Sequence, residues 1–206
     1  IFSSKLSRAM ETNYSTTFSL LINSYSPVTP SMIEKMMASG SLQDYKRNEL
    51  IFAEKKFNAF EYFQLAGISH RFNIDADNQV ITTGIYNGQQ VITPHFARNI
   101  RSQSIFSLQA LTDSTFLKIP IGIFDEFRFT NEQVSAFGQR VVKKEFIRSL
   151  NYEVLFRSYT AKDRLLFFRS NYPSLENLIP HTVIASFLGI TPVSFSRLRN
   201  ELSKTK

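Results

Sequence analysis

Between residues 49 and 120 apolar side chains alternate with polar ones in short runs: ELIFA (49–53), FEYFQLAG (60–67), QVITTGIY (79–86) and STFLKIP (114–120). A period of two in segments rich in aromatic and β-branched residues predicts half-buried strands. Turn residues punctuate the runs. Asp75-Ala76-Asp77-Asn78 separates two of them, and Asn87-Gly88 follows the third. Asn-Gly accepts positive φ at both central positions and predicts a hairpin there. A compact antiparallel β-roll or barrel over residues 10–129 follows, entered through a helix near Ser31–Met37 after the breakers Pro27 and Pro30. Residues 1–9, IFSSKLSRA, show no clear pattern and are expected to be a leader or an appended segment.

The spacing turns helical at Thr130-Asn131-Glu132-Gln133, which has the form of a capping box. With no proline before Pro173, the helix is expected to run to about Arg157, some 27 residues or ~40 Å. Val134, Phe137 and Val141 form one apolar stripe; Val142, Phe146, Leu150 and Val154 form a second, shifted one. The first suits packing on the roll. The second predicts a twin helix, so residues 130–158 are expected to build a homodimer. Thr160 and Asp163 then open a short helix ending near Ser170.

Residues 181–200, HTVIASFLGITPVSFSRLRN, have helix-turn-helix spacing within a terminal unit of residues 159–206. Val183, Ile184, Phe187 and Leu188 recur at helical spacing after Pro180, with small Ala185 where a second helix crosses. Gly189 suits the left-handed turn. Thr191 is placed to cap the next helix and Pro192 to occupy its first position. Phe195, Leu198 and Leu202 face inward, which turns Val193, Ser194, Ser196, Arg197 and Asn200 outward or sideways. Arg197 has the fork geometry for a guanine edge, while Ser194, Ser196 and Arg199 suit phosphates. The candidate DNA contacts are therefore Pro192, Val193, Ser194, Ser196, Arg197, Arg199 and Asn200.

Charge points to the same partner. Residues 1–139 hold 12 basic and 12 acidic side chains; the remaining 12 basic and 5 acidic ones lie after them, so the whole net +7 sits in the last third. A polyanion such as double-stranded DNA fits that distribution. No run approaches the ~18 apolar residues of a membrane span. The absence of cysteine excludes disulfides and thiolate-held zinc or iron–sulfur clusters, and it suits a reducing cytoplasm.

A neutral β-roll, a long helix and a basic helix-turn-helix, in that order, resemble the cyclic-AMP receptor (Crp/Fnr) family of bacterial transcription regulators. IASFLGITPVSFSRLRNEL (184–202) is similar to that family's recognition-helix stretch, with Arg197 at the position of the arginine aimed at guanine. YFQLAGISHRF (62–72) is similar to its strand-Gly-strand passage around Gly67. The resemblance implies an α+β fold: an N-terminal cyclic-nucleotide-binding-like β-roll, a dimerisation helix and a DNA-binding domain. It also implies an effector site gripped by Gly-Glu and Arg-Ser or Arg-Ala pairs. Here Thr93-Pro94 and Ser104 stand at those places, so weak cyclic-AMP binding is expected unless Arg98 or Arg101 substitutes. Many relatives carry a β-hairpin wing after the recognition helix; with Lys204 and Lys206 as a short basic tail instead, DNA affinity is expected to be modest and steeply salt-dependent, or to draw on the dimer partner.

Catalytic chemistry finds little support. His70, His95 and His181 lack metal-ligand spacing, and no nucleophile–base pair or Gly-rich phosphate loop appears. A metal ion, a cofactor and enzyme activity are therefore not expected; His95, beside Pro94, is the one histidine placed to touch a ligand. The alternative to a DNA-binding regulator is a sensor or scaffold protein whose terminal unit serves protein contacts, with an unknown small-molecule effector possible in either case.

Overall fold

The computed structural model describes residues 2–92 and 101–204, with side chains described from residue 13 onward. Helices α1 (Phe2–Asn23) and α2 (Pro30–Ala38) precede eight strands, β1 (Ser41–Tyr45), β2 (Leu50–Phe52), β3 (Phe60–Ala66), β4 (Ile68–Ile74), β5 (Val80–Asn87), β6 (Gln90–Ile92), β7 (Ser107–Ala110) and β8 (Ser114–Pro120). Then come α3 (Ile121–Thr130), α4 (Glu132–Ser158), α5 (Ala161–Asn171), a 3-10 turn (Leu175–Asn177), α6 (His181–Phe187) and α7 (Pro192–Lys204).

The strands form two four-stranded antiparallel sheets, ordered β1-β8-β3-β6 and β2-β7-β4-β5. Tyr45, Ile51, Tyr62, Tyr86, Ile92, Leu108, Ala110 and Phe116 fill a core of their own within the roll. All four strand runs predicted from alternation are strands, and α2 begins with Pro30 in its first turn.

Two expectations are corrected, and one stretch without a predicted element gains one. Residues 2–9, left without an element by the pattern, are the first turns of α1, whose later residues Phe18, Leu21 and Ile22 are buried against Phe63, Leu117 and Val134. The anchor lies downstream, so the leading turns carry no periodic signal of their own. Asn87-Gly88 is a turn but not a hairpin: β5 pairs with β4, β6 pairs with β3, and the chain passes from one sheet to the other at Gly88 (φ 70°). Gly67 (φ 90°) makes the matching passage from β3 to β4. Buried Gln64 ties both corners by donating to the carbonyls of Gly67 at 2.9 Å and Gly88 at 2.7 Å. The true hairpin is at Asp75–Gln79, where the Asp75 carboxylate accepts from the N–H groups of Asp77 and Gln79.

Finally, α4 is capped by Asn131 rather than Thr130: the Asn131 side chain accepts from Gln133 N at 3.0 Å and Val134 N at 3.1 Å. Thr130 closes α3 instead, donating to the Glu126 carbonyl, and the Gln133 amide oxygen accepts from Thr29 N. Helix α4 has 27 residues. Its stripe Val134, Phe137 and Val141 is buried among α1, α2 and β3. Its other stripe emerges, with Phe146 61%, Leu150 45% and Val154 55% exposed.

Candidate nucleic-acid interface

The terminal unit begins where Thr160 and Asp163 cap α5 reciprocally, side chain to backbone in both directions. Leu165, Phe168, Leu175, Ile184, Ala185, Phe187, Leu188, Phe195 and Leu198 then share one buried cluster with Tyr152 and Leu155 of α4. Between α6 and α7, Gly189 adopts φ 65°, and Ile190 N donates back to Ala185 O at 3.0 Å, closing the first helix. A Cβ at Gly189 would approach the Arg164 guanidinium to 3.2 Å, so conformation and space both favour glycine. Thr191 Oγ1 accepts from Ser194 N at 3.1 Å, and Pro192 opens α7.

Burial of Phe195 and Leu198 sets the rotation of α7 about its axis. Pro192, Val193, Ser196, Arg197 and Asn200 are exposed, and Val193 is 80% so. The structure thus gathers five of the seven candidate contacts on one open surface. The other two are engaged within the protein. Ser194 is half-buried with its hydroxyl 3.0 Å from that of Thr191, and Arg199 donates through Nε to Glu176. Ser196, though exposed, donates to the Pro192 carbonyl at 3.0 Å. Sequence reasoning missed Glu176, because nothing local marks a carboxylate that meets arginines on two other helices.

The helix-turn-helix also touches the roll. The Ser186 hydroxyl donates to Val80 O and accepts from Thr82 N, both at 2.9 Å, against the edge strand β5. A groove of about 910 Å³ runs between residues 75–82 and the helix-turn-helix, with Thr182, Gly189 and Thr191 on its far wall.

No family model and no curated protein matches the chain. Solved structures do. FixK2 from Bradyrhizobium japonicum matches with a TM-score of 0.71 at 15% identity, over 81% of this chain and 85% of that one. The c-di-GMP-responsive global regulator CLP of Xanthomonas campestris gives 0.70 at 11% identity, over 86% and 93%. The catabolite activator protein of Thermus thermophilus gives 0.53 at 15%, over 86% and 85%. The fold is that of the Crp/Fnr regulators.

Where the Crp/Fnr resemblance places a phosphate grip, Thr93, Pro94 and Arg98 lie outside the described residues, as does His95. Ser104 is buried; its Oγ accepts from Asn58 Nδ2 at 3.0 Å, and its backbone bonds to Lys55 and Lys56. A neutral hydroxyl held this way supplies no charge to a phosphate. Arg101 is exposed, just before Ser102 at φ 56°. Sequence reasoning also missed Arg71. It lines a cavity of about 400 Å³ between the roll and α4, together with Asn73, Thr83, Phe106, Glu145 and Ser149. Its Nη1 lies 3.6 Å from Glu145, its Nε donates to Thr83 O, and its guanidinium lies 5.6 Å from the Phe106 ring centre. Glu145 also accepts from Arg148 at 2.9 Å, so one α4 carboxylate joins a guanidinium of the roll and one of its own helix.

Two histidines have structural settings. His70 is buried, with Nδ1 3.1 Å from Thr82 Oγ1 and Nε2 3.1 Å from Gln109 Oε1, and burial lowers its pKa from the ordinary histidine value. His181 Nε2 lies 3.1 Å from the Glu176 carbonyl. Among the described residues no group of three His, Cys, Asp or Glu is placed to hold a metal, and no helix is long and apolar enough to cross a membrane.

Proposed function

We propose that this chain is a homodimeric transcription regulator that binds double-stranded DNA through α7 and acts in the cytoplasm. The observation that carries the reading is the exposed surface of α7, with Arg197 at its centre, on a capped helix-turn-helix in the most basic third of the chain. By residue type, Arg197 contacts a guanine, Asn200 and Ser196 flank it, and Pro192 and Val193 lie at the end of α7 that enters the groove first. Residues 10–129 form the effector domain, 130–158 the dimerisation helix and 159–206 the DNA-binding domain.

The dimer places Phe146, Leu150 and Val154 of two α4 helices against each other, which removes from water an apolar stripe that is otherwise half exposed. A two-fold pair of readers then spans half-sites about one turn apart. Among the described residues, Ser104 stands where the usual arginine of a cyclic-nucleotide grip would be, neutral and already bonded to Asn58. Cyclic AMP therefore binds weakly unless Arg98 or Arg101 substitutes, and the effector is absent, different or unknown.

Selection of bound fragments from a random duplex library, followed by titration of the preferred fragment, tests the reading. Arg197→Ala is expected to cost about 1–3 kcal/mol and to relax discrimination at one base position. Unchanged affinity and preference would overturn the major-groove assignment. Calorimetry with cyclic AMP and cyclic GMP tests the effector domain, and micromolar binding would overturn the degenerate site.

A further inference from the structure

Glu176, in the 3-10 turn ahead of α6, has a carboxylate only 13% exposed and shared by two guanidiniums from different helices. Arg169, near the end of α5, donates through Nε at 2.7 Å and Nη2 at 3.0 Å; Arg199 of α7 donates through Nε to the same carboxylate. Burial pushes the Glu176 carboxyl up, but Arg169 and then Arg199 more than offset it and hold the group below the ordinary carboxylate range. It is therefore charged at neutral pH.

Other groups also contact Arg199, whose side chain is 35% exposed. Its Nη1 lies 3.3 Å from His181 Nδ1, and His181 Nε2 faces the Glu176 carbonyl. A carbonyl only accepts, so Nε2 carries the proton and Nδ1 is left to accept from Arg199. The guanidinium carbon of Arg199 also lies 5.8 Å from the Phe195 ring centre. A phosphate bonding through Nε would have to displace a carboxylate only 13% exposed, and that carboxylate neutralises the guanidinium charge; both oppose the phosphate contact that its residue type and position imply.

Arg197 and Arg199 are two residues apart on one helix, so they project roughly 200° apart around its axis. Fixing one fixes the other. We propose that Glu176 is a positioning residue for base reading: through Arg199 it reinforces the rotation of α7 that buried Phe195 and Leu198 set, so that Arg197 points outward, and it withholds Arg199 from the phosphate backbone. This rests on the DNA-binding reading above.

The test compares the full-length wild type with Glu176→Gln, Glu176→Asp and Arg199→Gln. Each is titrated with the selected duplex and with a scrambled one across a salt series. Arg199→Gln is expected to keep the wild-type salt slope while the ratio of selected to scrambled affinity falls about tenfold. Glu176→Gln frees Arg199, so the slope steepens by about 0.9 per reader while the ratio falls. Glu176→Asp, which keeps the charge, restores part of the ratio; a purely structural role would leave the Glu176→Gln slope at the wild-type value. A slope shallower by about 0.9 per reader in Arg199→Gln would show that Arg199 already touches phosphate and would overturn the proposal, and this variant decides alone if Glu176→Gln fails to fold. An unchanged ratio in Glu176→Gln, with sequence preference intact in the wild type, overturns this inference alone. A wild type without sequence preference overturns the DNA-binding reading as well.

Discussion

The Ser186 hydroxyl accepts a hydrogen bond from the backbone N–H of Thr82 at 2.9 Å, joining α6 to the β-roll. It donates to Val80 O at the same distance, so one side chain satisfies an N–H and a C=O along the open edge of β5. Ser186 thus stands in for a neighbouring strand, and α6 covers an edge that would otherwise be free to pair with another chain. Ser186→Ala leaves both groups without this partner and is expected to cost about 1–3 kcal/mol in denaturant unfolding. Faster amide exchange at Thr82 should accompany that loss. Unchanged protection at Thr82 would mean that the docking does not depend on the hydroxyl.

The corner at Gly67 is expected to resist any side chain. Its φ is 90°, and a Cβ there would stand 2.1 Å from Ser114 Oγ and 2.6 Å from the Asp113 carbonyl. Gly67→Ala combines backbone strain with overpacking, a loss of roughly 2–4 kcal/mol. Gly88→Ala makes the contrast, because its φ is 70° but nothing lies within 4 Å of the added carbon. Thermal melts of the two variants should rank Gly67→Ala as clearly the worse, and equal losses would contradict the packing argument.

His70 makes stability depend on pH. The Gln109 amide nitrogen donates to Asn48 O, which turns its oxygen toward His70 Nε2 and leaves Nδ1 to accept from Thr82 Oγ1. Burial lowers the pKa of His70, although the Gln109 bond acts in the opposite sense. The unfolded chain therefore takes up a proton first, near the ordinary value of ~6.5, and the folded protein loses stability as pH falls from there toward the lower folded pKa. Unfolding free energies measured between pH 7 and pH 5 should fall, and His70→Gln should flatten that decline. An equally steep decline in the variant would assign it to other groups.

The exposed stripe of α4 gives a direct test of assembly. Phe146 and Leu150 are 61% and 45% exposed in the single chain, so replacing them leaves the interior intact. Phe146→Glu combined with Leu150→Glu should convert a dimer to a folded monomer in sedimentation equilibrium, with the far-ultraviolet dichroism unchanged. A wild type that sediments as a monomer, or a double variant that remains dimeric, would remove α4 as the dimer seam.

Local grammar made much of this molecule legible. The spacing predicts some 27 residues for α4, which has 27, the Thr160–Asp163 box opens α5, and Thr191, Pro192 and Gly189 occupy their predicted places in the helix-turn-helix. These signals act between groups a few residues apart, so they survive without knowledge of the fold. The errors also have local causes: Thr130 and Asn131 are both competent caps, and only the continuation of α3 through Thr130 decides between them.

The linear order of residues was sufficient for the strand runs, the central helix, the capped helix-turn-helix and the concentration of positive charge in the last third. Tertiary structure decided which sheet each strand joins, since Gln64 must bring the corners at Gly67 and Gly88 together before either reads as a crossing. It also decided that Arg199 faces Glu176 while Arg197 faces solvent, and that Ser186 meets β5 about a hundred residues earlier in the chain. Periodicity and capping are properties of neighbours along the chain. The partner of a buried charge, or of an open sheet edge, is whichever group the finished packing brings within hydrogen-bond reach.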